Sequence, residues 1–126
     1  MIPEPLRTAG KGQVLCSCVL VPNGASAPTL EDAAGIIGVS RTGVGLITLT
    51  LAKKFYKLKA WGFAAKVNAN APTHVQRQGT ADAYNAATPT IDIITMQGSP
   101  FVATDVAANA NTRIALWFLF SESTVG

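Results

Sequence analysis

From Asn111 to Phe120 the sequence alternates strictly, with Thr112, Ile114, Leu116, Phe118 and Phe120 on one side and Arg113, Ala115, Trp117 and Leu119 on the other. A two-residue period is the period of a β-strand, and here both faces are largely apolar. Such a strand has to lie centrally in a sheet or at a contact between subunits. The same period recurs upstream. Ile47, Leu49 and Leu51 alternate with Leu46, Thr48 and Thr50, and Ile91, Ile93 and Thr95 with Asp92, Ile94 and Met96.

The punctuation agrees with this reading. Val14 to Val21 is an apolar run stopped by Pro22-Asn23-Gly24, the pattern of a buried strand followed by a turn. The run from Ile36 to Thr42 passes through Gly43-Val44-Gly45 into Leu46 to Leu51, a hairpin signal. From Leu58 to Val67, Lys59, Trp61, Phe63, Ala65 and Val67 share one face, opposite Leu58, Ala60, Gly62, Ala64 and Lys66. Thr73 to Gln78 reads as a polar edge strand, and 79–89 as a loop holding Tyr84. Between Ala25 and Ala34, Thr29 can cap a short helical turn through Leu30, Glu31 and Asp32. Short strands with turn signals every 8–12 residues or so predict an all-β fold, an antiparallel β-sandwich of jelly-roll-like form. Residues 1–12 carry two prolines and two glycines and read as an extended N-terminal arm, leaving 13–126 as a single β-sandwich domain.

Composition narrows the function class. Of the 126 residues 48% are hydrophobic and only 13% charged, about half the usual charged share, which excludes a disordered chain and suits burial against neighbours. A net charge of +3 is too mild for a typical nucleic-acid module. The start, Met-Ile-Pro-Glu-Pro-Leu-Arg, is not that of a signal peptide, and no apolar run approaches a membrane span, so the expectation is synthesis in a cytoplasm and no membrane partner. Cys16 and Cys18, two apart on a strand, share one face and do not bond to each other easily, a usage that fits a reducing compartment.

No motif carries chemistry. His74 is the single histidine, with no acid or nucleophile at a recognisable spacing, so no catalytic residue is assigned. Cys16, Cys18 and His74 fall short of a four-ligand zinc set, and neither a metal nor another cofactor is expected. Arg41-Thr42-Gly43-Val44-Gly45 lacks the Lys-Ser/Thr ending and the helix of a phosphate loop; a hairpin turn accounts for its glycines. Lys53, Lys54, Lys57 and Lys59 interleave with Phe55, Tyr56 and Trp61, which is either a platform for single-stranded nucleic acid or a charged sheet edge that discourages aggregation; the edge is favoured.

The hairpin Val39-Ser40-Arg41-Thr42-Gly43-Val44-Gly45-Leu46-Ile47-Thr48-Leu49-Thr50-Leu51, followed by Phe55-Tyr56-Lys57-Leu58, and the strand from Asn111 to Ser121 resemble small accessory virion proteins of tailed bacteriophages, of the capsid decoration or cement type. The resemblance covers about residues 36–60 and 110–123 and is one of strand, glycine turn and closing strand. It implies a β-rich domain, often a homotrimer, located in the virion on the capsid surface, which binds the major capsid protein and reinforces the shell without chemistry. On that reading Pro3, Pro5, Arg7, Lys11, Lys53, Lys54, Lys57 and Lys59 are the candidate partner-binding residues, and Trp117 and Phe118 the candidate self-association residues. Three rivals stay open. One is a tail or fibre module binding a host glycan around Tyr84 and Asn85, another a small enzyme built around His74, and a third a nucleic-acid binder using Lys53 and Lys54.

Overall fold

The computed structural model describes residues 12–67, 72–77 and 87–121. They form two antiparallel sheets and contain no helix. The first sheet, A, holds β1 (Gln13–Val21), β2 (Thr29–Ala34), β5 (Lys57–Lys66) and β9 (Arg113–Ser121) in the order β2-β1-β9-β5. The second, B, holds β3 (Ile36–Gly43), β4 (Leu46–Leu51), β6 (Thr73–Arg77) and β7 (Thr90–Gln97) in the order β3-β4-β7-β6, with β8 (Val102–Ala103) paired to β7. The resembling segments fall in both sheets, the hairpin in B and the closing strand in A.

Alternation decides what is buried. Ile114, Leu116, Phe118 and Phe120 of β9, Cys16, Cys18 and Leu20 of β1, Ile47, Leu49 and Leu51 of β4, and Ile91 and Ile93 of β7 join one apolar cluster drawn from both sheets. The two thiols stand where little room is left, because Cys16 pairs with Phe118 and Cys18 with Leu116 across the ladder. Phe120 stacks on Phe55 at 4.3 Å between ring centroids, sealing the core beside the segment that enters β5. As its two apolar faces require, β9 runs between β1 and β5.

Two expectations need correction. Residues Thr29–Ala34 are an edge strand and not a helical turn: Leu20 and Val21 of β1 supply a ladder to Leu30 and Thr29, which outweighs the local preference of a capped acidic turn. At Gly35 the chain then turns from sheet A into sheet B with φ +83°, a left-handed geometry suited to glycine. Leu58 also changes side. A β-bulge between Leu58 and Ala60 inserts Lys59 as the extra residue, so Leu58 joins Trp61 and Phe63 against the core.

Candidate functional site

The outer face of sheet A is the surface that sets this domain apart. Reading across the register, Leu15, Leu119 and Ala60 form one row, Ser17, Trp117 and Gly62 the next, and Val19, Ala115 and Ala64 the third. Eight of these nine neighbouring positions are apolar or glycine, and every one is half-buried or exposed. An outer face of an antiparallel sheet is ordinarily the polar one. Sheet B follows that rule over two rows, Ser40, Thr48 and Asp92 in one and Gly38, Thr50 and Thr90 in the next, and a third row, Gly43, Leu46, Ile94 and Gln76, is mixed. There the Thr48 hydroxyl donates to Asp92 Oδ1 at 2.7 Å.

Trp117 sits at the middle of the apolar block and is 42% exposed. Its indole lies across the neighbouring strand, over Gly62: a Cβ built on that glycine would come within 2.7 Å of Nε1 and closer still to the ring carbons. Gly62 is therefore the residue that lets the indole lie flat on the sheet. Phe118, the other candidate for self-association, is fully buried and packs with Trp61 and Phe120. Adjacent residues of a strand point to opposite faces, so Trp117 is available to a partner and Phe118 is not.

The margins of this face carry opposite charge. At one end of the strand order β5 bears Lys57, Lys59 and Lys66, all exposed, and Lys53 and Lys54 precede it. The opposite edge, β2, bears exposed Glu31 and Asp32. Arg113 reaches across to Glu31, Nε donating to Oε1 at 3.0 Å and Nη2 to Oε2 at 3.4 Å, while its Nη1 donates to the carbonyls of Thr112 and Ala110. The rings interleaved with the lysines do not form a stacking platform. Phe55 is buried beneath Lys53 Nζ, which stands 5.6 Å from the ring centroid, and Trp61 packs on Phe118; of the three only Tyr56 is exposed.

The remaining sequence candidates separate. Pro3, Pro5, Arg7, Lys11, Tyr84 and Asn85 lie outside the described residues. His74 is held between the rings of Phe63 and Phe101, each 5.3 Å away. Burial pushes both thiols up to about 11, against a slight lowering by Lys53 at Cys16 and with a further raising by Cys16 at Cys18. Among the described residues no group of three or more His, Cys, Asp or Glu is placed to hold a metal ion. The cavity between Leu20, Ile47, Val106 and Ile114 is apolar and admits little more than a water-sized molecule.

Sequence reasoning missed one polar cluster. Arg41 Nε and Nη2 grip both carboxylate oxygens of Asp105, at 2.9 and 2.7 Å, and Asp105 Oδ1 also accepts the Gly45 N–H at 2.9 Å. The guanidinium bonds first, then the Gly45 amide, hold the Asp105 carboxyl down to about 2. This clamp ties the tip of the β3–β4 hairpin to the segment after β8. Its two charged members lie 64 residues apart, and no local pattern links them.

No family model matches the chain, and no curated protein or solved structure was found to be similar to it.

Proposed function

We propose that this chain is a structural virion protein of the capsid decoration type, a jelly-roll-like β-sandwich that attaches to the major capsid protein on the outside of a phage shell and reinforces the lattice. The observation that carries the reading is the apolar outer face of sheet A, with Trp117 at its centre. A chain that leaves such a face to solvent works covered, as one member of an assembly. The low charge of the whole sequence supports the same reading, as does its resemblance to accessory virion proteins. Lys53, Lys54, Lys57 and Lys59 supply a basic margin for the shell, and Pro3, Pro5, Arg7 and Lys11 are proposed as further shell contacts. Binding that favours the assembled lattice over free subunits stabilises the lattice by mass action, and repeated weak contacts add by avidity. No bond is made or broken.

The test is the copy number of the protein in purified particles from its source, measured by quantitative mass spectrometry against the major shell protein. Hundreds of copies in a fixed ratio are expected. A handful would place it on a tail or fibre, where binding of a host glycan becomes the reading, and absence from particles would overturn both.

A further inference from the structure

We infer that the outer face of sheet A is a homotypic interface, in which two copies stack face to face about a two-fold axis parallel to β9. Three features of the face fit that one operation. First, the block is graded in size: β1 contributes Leu15 and Val19, whereas β5 contributes Ala60 and Ala64 in the same rows. Rotation about an axis along the central strand sets each copy's β1 over its partner's β5, so large side chains meet small ones row by row. A two-fold running across the strands would instead set β5 over β5, leaving alanine against alanine and an unfilled gap.

Second, Trp117 lies on the axis but leans toward Gly62. The same rotation carries each indole over the partner's Ser17, a small residue between Leu15 and Val19, so the two indoles pass side by side. Third, the acidic edge β2 of one copy then overhangs the basic edge β5 of the other, bringing Glu31 and Asp32 toward Lys66 across the interface. The two Arg113 side chains, which fall in one row near the axis, are each engaged by Glu31 and backbone carbonyls of their own copy.

The size of the face sets the strength. The rotation overlaps three strands, β1, β9 and β5, and at about 4.8 Å spacing with eight register pairs at about 3.3 Å they give roughly 380 Å² in flat projection. With side-chain relief the pair buries roughly 850–1,050 Å² in total, the size of a weak, transient interface. A face this small is expected to pair weakly, in the micromolar range at best, and to be effective where copies are concentrated on a lattice. The pairing is a dimer, whereas the resemblance implies a trimer. It does not depend on the virion reading, which is tested on particles, while this is tested on the purified chain.

Sedimentation equilibrium from about 1 to about 100 μM is the experiment, on the unaltered chain and on Ala64→Glu and Ala60→Glu. Both alanines are exposed on an edge strand, so a carboxylate there is tolerated by the monomer and buried unpaired only in the pair. The unaltered chain is expected to reach twice its 13.1 kDa mass, with tryptophan emission shifting to the blue as Trp117 is covered. Each glutamate is expected to raise the dimer dissociation constant at least about tenfold with the thermal midpoint kept. Thr50→Glu, on the polar outer face of sheet B, is expected to leave it unchanged. A monomer at the highest concentration, a trimer mass, or a dimer indifferent to both glutamates on folded protein would each overturn the inference.

Discussion

Replacing Gly45 by alanine tests whether the clamp at the β3–β4 tip is built on backbone geometry. Gly45 has φ +70°, and a Cβ there would stand 2.6 Å from the Thr95 carbonyl oxygen and 2.8 Å from the Thr104 nitrogen. Both are backbone atoms held in place: the Thr95 N–H donates to the Gly45 carbonyl at 2.8 Å, and the Thr104 N–H to the Thr95 carbonyl at 2.9 Å. A methyl group is admitted only if that pairing opens. The left-handed conformation costs about 1–2 kcal/mol for an L-residue. Two backbone hydrogen bonds lost from a mostly buried site add about 1 kcal/mol each. The stiffer unfolded chain returns about 0.4–1 kcal/mol. The net destabilisation is about 2–4 kcal/mol, or roughly 8–16 °C in Tm for a domain of this length.

Gly24 is the control. Its φ is +61°, but nothing lies within 4 Å of the added Cβ, so only the conformational cost remains, about 1 kcal/mol or less after the same return. Chemical denaturation of Gly45→Ala and Gly24→Ala, fitted with a common slope, isolates the steric part. A difference under about 1 kcal/mol would refute the reasoning, since it would mean the turn relaxes without opening its hydrogen bonds.

Further outcomes follow from the same contacts. Asp105 is held near 2, below its unfolded value near 4, so its contribution is present above pH 4 and is lost as pH falls from about 4 to about 2. Asp105→Asn is expected to flatten acid unfolding in that window; an unchanged acid limb would remove the clamp from it. Cys16 and Cys18, raised to about 11 and buried, are expected to resist an aromatic disulfide reagent at pH 8 in native protein and to react on unfolding. Prompt labelling of the native state would contradict their burial. Phe118→Ala is expected to cost about 3–5 kcal/mol in denaturant titration, and Trp117→Ala about 1–2 kcal/mol, for the part of the indole packed over Gly62, with loss of self-association. Equal costs would mean that the two faces of β9 are misassigned.

Legibility from sequence followed strand period. In β4, β7 and β9 the side chains of a single strand already alternate in polarity or size, and the structure buries the alternating sets that the sequence marks. The β3–β4 hairpin was equally readable because Gly43 and Gly45 mark its turn. What failed depended on partners far away in the chain. Thr29–Ala34 is extended because β1 lies beside it, and nothing within those six residues announces β1. The bulge at Lys59 inverts Leu58 through a ladder set by β9. As for the candidate site, Trp117 and Phe118 were both legible as candidates on a strand with two apolar faces, but the strand's own period does not say which face turns outward. That Trp117 shares a surface with Leu15 and Ala64 requires the pairing of three strands from distant parts of the chain.

That pairing also orders events in time. β9 bonds to β1 through contacts such as Gln13 with Ser121, and to β5 through contacts such as Lys57 with the same Ser121, so β1 and β5 have no common neighbour until it arrives. During synthesis sheet B can close once residue 103 has emerged, while sheet A waits for a strand ending at residue 121. Such long-range closure is slow and leaves apolar edges open to aggregation in the interval. It also means that an incomplete nascent chain has no Trp117 surface to offer. Access to any partner of that face is thereby restricted to chains whose translation has passed β9.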